Sequence, residues 1–215
     1  MLLAFIGSSA GFCLLFRWVP LPTTAFMLYR HVEDFRDDKT FKSINYDWVG
    51  ANRISPYAYE AVIASEDQRF FEHSGFDFHS IRAAIAGYFK GRRLRGASTI
   101  SQQVAKNVFL NPSKSFIRKV FEVWFTILLE QFWSKERILT VYLNIAEFGD
   151  HIFGIEAASQ RYFGIPAKKL NRAQAALLAA TLPNPLRFSA SRPSSYVRAR
   201  QNWILRQMHN VDYPH

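Results

Sequence analysis

The chain has 215 residues, 49% of them apolar, enough for one sizeable domain with its own core. It carries 27 Lys and Arg against 17 Asp and Glu, a formal net charge of +10. That balance suits nucleic acid, anionic lipid or a phosphorylated substrate without choosing among them. Cys13 is the only cysteine, which excludes an internal disulfide framework and a cysteine-based metal site.

From Met1 to Tyr29 the only charged residue is Arg17. The apolar run 2–16, at about 1.5 Å rise per residue, falls slightly short of a hydrocarbon core of roughly 30 Å. Trp18 and Tyr29 stand where interfacial aromatic residues are expected. Residues 1–29 are therefore expected to form a transmembrane anchor. A cleaved signal peptide would want a basic n-region and a small-residue cleavage site. No basic residue precedes the run, so charge does not orient it, and the start of the chain is left open. Pro20 and Pro22 end the segment. Residues 30–54 read as a mixed, membrane-proximal approach segment containing the charge run Glu33-Asp34-Phe35-Arg36-Asp37-Asp38-Lys39. The main domain, 55–215, begins at Ser55-Pro56.

Beyond that point the pattern is almost entirely helical. Helices are expected over 59–65, 80–90 (with Ile81, Ala84, Ile85 and Tyr88 on one face), 98–109, 115–133, 135–147, 154–162, 171–181 and 194–209. A basic, glycine-bounded loop spans 91–96. Gly149 and Gly164 stand where a left-handed helix C-terminus is expected. Asn171 with Gln174 resembles a capping box, and Leu182-Pro183-Asn184-Pro185 is a firm break. Alternating strand patterns are scarce, so the class is all-α or nearly so.

Three stretches carry chemistry. Glu66-Asp67-Gln68-Arg69-Phe70-Phe71-Glu72-His73-Ser74-Gly75-Phe76-Asp77 sets two adjacent carboxylates after an apolar run, in a chain with few acids. On a helix over 98–108, at about 100° per residue, Ala97, Ile100, Val104 and Val108 share one side. Thr99, Gln102, Gln103 and Lys106 share the other. That second face is either an ordinary solvated one or a set of hydroxyl and amide groups for sugars and phosphates. Arg118 and Glu122 stand four residues apart, as in an intrahelical ion pair. Alternatively, Lys106, Lys114, Arg118 and Lys119 form a cationic cluster for a diphosphate. The His and acid spacings match no metal motif, and neither a P-loop nor G-x-S-x-G occurs.

Read in order, the segments resemble glycosyltransferase family 51, the glycosyltransferase domain of peptidoglycan synthases. They are E-D-x-x-F-x-x-H-x-G-x-D at 66–77, G-[AG]-S-T-I-x-Q-Q-x-x-K-N at 96–107, R-K-x-x-E at 118–122 and K-x-x-I-L-x-x-Y-L-N at 135–144. Gly154-Ile155-Glu156-Ala157-Ala158 followed by Tyr162-Phe163-Gly164 is the fifth. The resemblance covers about residues 55–190. It implies a helical, lysozyme-like, two-lobed domain with a groove near the membrane.

The resemblance further implies polymerisation of lipid II on a growing undecaprenyl-diphosphate-linked glycan, with undecaprenyl diphosphate released and a β-1,4 bond formed by inversion. It assigns Glu66 as base and Glu122 as the second catalytic carboxylate. Substrate contacts are implied for Ser98, Thr99, Gln102, Gln103, Lys106, Asn107, Lys114 and Arg118. Asp67, Phe70, His73, Gly75, Asp77 and Lys119 are supporting residues, with Asp67, His73 and Asp77 holding the loop that positions Glu66. Lys114 stands where the family often has Arg, which keeps the charge but loses the bidentate fork. No protein-held metal and no required cofactor are implied; a divalent cation such as Mg²⁺ is an optional aid at the diphosphate. Membrane lipid and other cell wall synthesis and division proteins are the expected partners, not nucleic acid. The expected location is the bacterial inner membrane, single-pass, with the catalytic domain in the periplasm. The rival enzyme is a lysozyme-like or lytic peptidoglycan glycosidase, which needs an acid for a leaving sugar oxygen.

Overall fold

A computed structural model describes residues 1–37, 40–91, 98–113, 115–211 and 213. Most of the basic loop expected over 91–96, and Lys114, lie outside the described residues. The chain is mainly helical, as the periodicity requires.

Helix α1 (Leu2–Leu15) lies along α6 (Phe116–Phe132). Trp133 Nε1 donates to the Cys13 carbonyl at 2.6 Å and Trp124 Nε1 to Ser9 Oγ at 3.2 Å. Among the described residues no helix is long and apolar enough to cross a membrane. At about 1.5 Å per residue α1 reaches only about 21 Å.

The segment expected to be an irregular approach contains a helix, α2 (Ala25–Asp37). Its apolar periodicity is hidden because the face turned inward is partly charged: Met27, Arg30 and Asp34 are buried. Arg30 pairs with Glu33 at 2.8 Å, Glu147 at 3.2 Å and Asp150 at 2.8 Å. Asp34 lies 2.8 Å from His151 Nε2. Buried charges persist only when paired in this way.

The centre of the core is α3 (Pro56–Glu66), where every residue from Ala58 to Ala64 is buried. Proline at its first turn starts the helix three residues before the expected position, because a missing N–H costs nothing there. Helix α7 (Lys135–Ile145) is buried from Ile138 to Ile145, and α9 (Arg172–Thr181) packs between α3 and α10 (Ser195–Gln207). Helix α5 (Ile100–Phe109) fits against α6 and α7. The Asn171–Gln174 capping box opens α9. Gly164 ends α8 (Ile155–Phe163) in the left-handed conformation, at φ +67°.

A small sheet was not anticipated. β1 (Asn45–Tyr46) runs parallel to β3 (Ile152–Phe153), which pairs antiparallel with β2 (Glu147–Gly149). These strands are too short to show an alternating pattern. Gly149 is thus a strand residue and not a helix terminus: α7 stops at Ile145, and Ala146 is extended. What requires glycine there is space, since a Cβ would meet the Tyr162 hydroxyl at 2.1 Å.

Candidate active site

Glu66 is the last residue of α3. The helix ends there because Asp67 turns out of helical geometry, at φ −160° and ψ 77°. Asp67 then does two jobs. Its Oδ2 accepts the backbone N–H of Ile100 at 3.0 Å, and its Oδ1 lies 3.0 Å from His73 Nε2. A carboxylate at a helix N-terminus satisfies a free N–H and meets the favourable end of the dipole. This bond fastens the end of α3 to the start of α5 and so brings Glu66 beside Gln103, whose side-chain amide donates to Glu66 Oε2 at 3.1 Å.

The loop after Glu66 is fixed on every side. Phe70 is wholly buried, and the Lys135 ammonium sits 4.3 Å from its ring centroid while donating to the His73 carbonyl at 2.6 Å. Gly75 has φ +87°, and a Cβ there would lie 2.7 Å from Thr126 Cγ2. Asp77 caps α4 (Phe78–Phe89), accepting the Ser80 N–H at 2.9 Å. Burial pushes the Asp77 carboxyl up, but the Ser80 hydrogen bonds and the nearby Arg69 and His73 together hold it below its ordinary value. Asp67, Phe70, His73, Gly75 and Asp77 therefore all meet in the loop that follows Glu66. Glu130 was not anticipated; it accepts from Ser101 and lies 2.9 Å from Lys135, joining α5, α6 and this loop.

The face expected on α5 divides. Thr99 and Gln102 close a capping box at its N-terminus, and the Thr99 hydroxyl also donates to the Gly75 carbonyl at 2.6 Å. Both are buried, so their chemistry is directed to the helix end more than to the groove. Gln103, Lys106 and Asn107, further along, line a cavity of about 270 Å³ together with Tyr142, Glu147 and the turn Leu182-Pro183-Asn184-Pro185. Ser98 is exposed beside Glu66 in two adjoining grooves of about 450 and 800 Å³. The larger groove shares Gln103 and Pro183 with the cavity at Lys106.

On α6, Glu122 is buried and accepts from Arg118 at 2.5 Å and from Lys119. Lys106 feels this cluster: burial lowers its pKa first, Glu122 opposes that, Arg118 and Lys119 lower it further, and Glu66 raises it. The net direction is down. Lys106 therefore lies in the field of both carboxylates and two other cations, and Gln103, on the same helix, lies at hydrogen-bond distance of Glu66.

Three participants could not be anticipated from local pattern. Tyr142 of α7 donates to Gln103 Oε1 at 3.4 Å. Burial, and then the Glu66 charge, push its phenol well above its ordinary value, so it remains a neutral donor. Ser65 Oγ donates to Glu66 Oε1 at 2.8 Å. Arg200 of α10 lies 3.4 Å from the same oxygen.

The transglycosylase family model matches residues 35–209. The chain is 53% identical over 207 residues to the biosynthetic peptidoglycan transglycosylase of Mannheimia succiniciproducens, covering 96% of this chain and 85% of that one. It is 56% identical over 198 residues to the protein of the same name from Escherichia coli O127:H6, covering 92% and 82%. The corresponding Cronobacter sakazakii protein is 53% identical over 210 residues, 98% of this chain and 87% of that one. Matched by the family model over most of its length and more than half identical to these relatives, the chain belongs to the transglycosylase family.

Proposed function

We propose that this glycosyltransferase polymerises lipid II into β-1,4-linked glycan strands of peptidoglycan, releasing undecaprenyl diphosphate. The observation that carries this reading is Glu66 Oε2, held by Gln103 in an open groove, with Lys106 on the same helix in the field of both Glu66 and Glu122. Glu66 takes the proton of the acceptor sugar hydroxyl as its oxygen attacks the donor's anomeric carbon. The bond to the diphosphate breaks with its electron pair leaving on oxygen. Lys106 and Arg118 offset that charge, and Ser98, Gln103 and Asn107 are suited to hydrogen-bond the sugars. Both Glu122 oxygens pair with cations, an arrangement that suits aiming Arg118 and Lys119 at a diphosphate. Thr99 and Gln102 support the site through the α5 cap. A divalent ion such as Mg²⁺ adds to these cations where present and is not required.

The reading includes a lysozyme-like, two-lobed domain held at the bacterial inner membrane, with the catalytic groove on the periplasmic side. Support comes from the apolar residues left exposed on two touching helices. Leu3, Phe12, Leu15 and Trp18 lie on or just after α1, and Phe116, Ile117, Val120 and Ile127 lie on α6. The two sets meet where Phe5 and Phe121 pack at 5.7 Å. A surface of this kind fits the lipid-bound ends of donor and acceptor.

Incubation of the purified chain with lipid II in detergent tests the reaction. Long glycan strands are expected, and Glu66→Gln is expected to lower their rate by about 10²–10⁴-fold at unchanged thermal stability. Degradation of finished peptidoglycan without polymerisation would establish the glycosidase instead.

A further inference from the structure

We infer that Arg200, acting partly through Ser65, is a positioning residue for Glu66: it holds Oε1 so that Oε2 is the oxygen presented to the acceptor hydroxyl. This rests on Glu66 being the base, as proposed above.

Glu66 ends α3, so its carboxylate faces the negative end of the helix dipole and needs partners to hold it there. The two oxygens are treated differently. Oε1 accepts the Ser65 hydroxyl at 2.8 Å and lies 3.4 Å from Arg200 Nη2. Arg200 Nη2 also donates to Ser65 Oγ at 3.0 Å and reaches the Ser65 carbonyl at 3.5 Å. A hydroxyl has one proton. With Arg200 donating into its lone pair, Ser65 directs that proton to the nearer of its two acceptors, Glu66 Oε1 at 2.8 Å against the Ala179 carbonyl at 3.4 Å. The relay therefore has a fixed sense, from guanidinium to hydroxyl to Oε1.

Among the described residues, Oε2 has a single, weaker tether, the Gln103 amide at 3.1 Å. Tyr142 donates to the other end of that amide, which orients the NH₂ toward Glu66. A neutral amide can yield to an arriving hydroxyl, whereas a guanidinium paired with a carboxylate at 22% and 15% side-chain exposure is not easily displaced. In the reaction the hydroxyl's O–H bond breaks, its proton passes to Oε2, and its oxygen forms the new bond to the anomeric carbon as the diphosphate leaves. The Oε1 clamp stays in place throughout. Among the described residues, the groups facing Glu66 include Arg200 from α10, Tyr142 from α7, Lys106 and Gln103 from α5 and its own neighbours Ser65 and Asp67. Of these, only Arg200 is a cation at contact distance of the carboxylate in the structure.

The test is steady-state polymerisation of lipid II by the full chain carrying Arg200→Ala, Arg200→Lys or Ser65→Ala. Misaiming a reacting group costs up to about 10²-fold in rate, and loss of an interaction that serves only the transition state lowers kcat and leaves KM unchanged. Arg200→Ala is expected to lose about 10–100-fold in kcat with KM within about threefold. Arg200→Lys should fall between it and wild type, and Ser65→Ala should lose activity in the same sense. Low-millimolar guanidinium should restore part of the Arg200→Ala rate, which a packing role would not allow. If Arg200→Ala does not fold, the kcat of Arg200→Lys and Ser65→Ala decides. Undiminished kcat in the folded variants, or a loss confined to KM, overturns the inference alone. A wild-type chain that makes no glycan from lipid II overturns the functional reading, and this inference with it.

Discussion

Lys106 shows what environment does to one residue. Burial is the largest influence on its ammonium and pushes its pKa down, with Arg118 and Lys119 adding to that and Glu122 and Glu66 opposing it. A lysine needed as a cation then loses its proton at lower pH than a free side chain. Polymerisation is expected to decline at high pH through a range below the ordinary lysine value of about 10.4. Lys106→Arg, which stays protonated, should carry activity further into the alkaline range if its fork is tolerated. Lys106→Ala should lose the reaction at every pH with little change in thermal stability. Rate-against-pH profiles of the three proteins check both. Glu66, Gln103, Lys106 and Arg118 were legible in the sequence because they fall in ordered motifs that resemble those of a known glycosyltransferase family. Arg200 was not, since it meets Glu66 across 134 residues of chain and nothing local to α10 marks it. Tyr142 read as a core residue, and it is one; its hydroxyl gains a role only from where Gln103 ends up.

Helix ends were the most legible elements, because a cap is a local bargain between a side chain and the nearest free N–H groups. Asn171 with Gln174 behaves as its spacing requires. Thr99 with Gln102 forms a second box, which commits both side chains to the helix end, while Thr99 still lines the groove beside Glu66. Helix α2 was invisible for the opposite reason: its inward face holds Arg30 and Asp34, partnered by residues more than a hundred positions away, so no apolar stripe announces it. The loop that follows Glu66 depends on Gly75, whose φ of +87° and missing Cβ let the chain pass Thr126 and Glu130. Gly75→Ala combines a strained backbone with a 2.7 Å clash, and is expected to cost about 2–3 kcal/mol. For a chain of this length that is a fall of roughly 4–12 °C in Tm. Calorimetry or a thermal melt by circular dichroism reads it directly.

At the scale of the molecule, the exposed apolar residues of α1 and α6 join into one surface, and α6 also carries Arg118 and Glu122. Ile117→Asp with Val120→Asp, both exposed at 69% and 53%, should leave the fold intact and weaken binding to anionic phospholipid vesicles several-fold, read by co-sedimentation. Equal binding by the double variant would remove α6 from the lipid surface. The sequence by itself determined the helical class, the caps at Gly164 and Asn171, the apolar N-terminal run and the ordered motifs, because helical periodicity, capping and motif spacing are local relations between near neighbours. Only the tertiary structure decided that residues 25–37 form a helix and that a three-stranded sheet closes against them. It alone set Glu66 between Gln103 and the Ser65–Arg200 pair. Those features depend on hydrogen bonds and ion pairs between groups far apart in the chain, and such partners are chosen only when the core has brought their helices together.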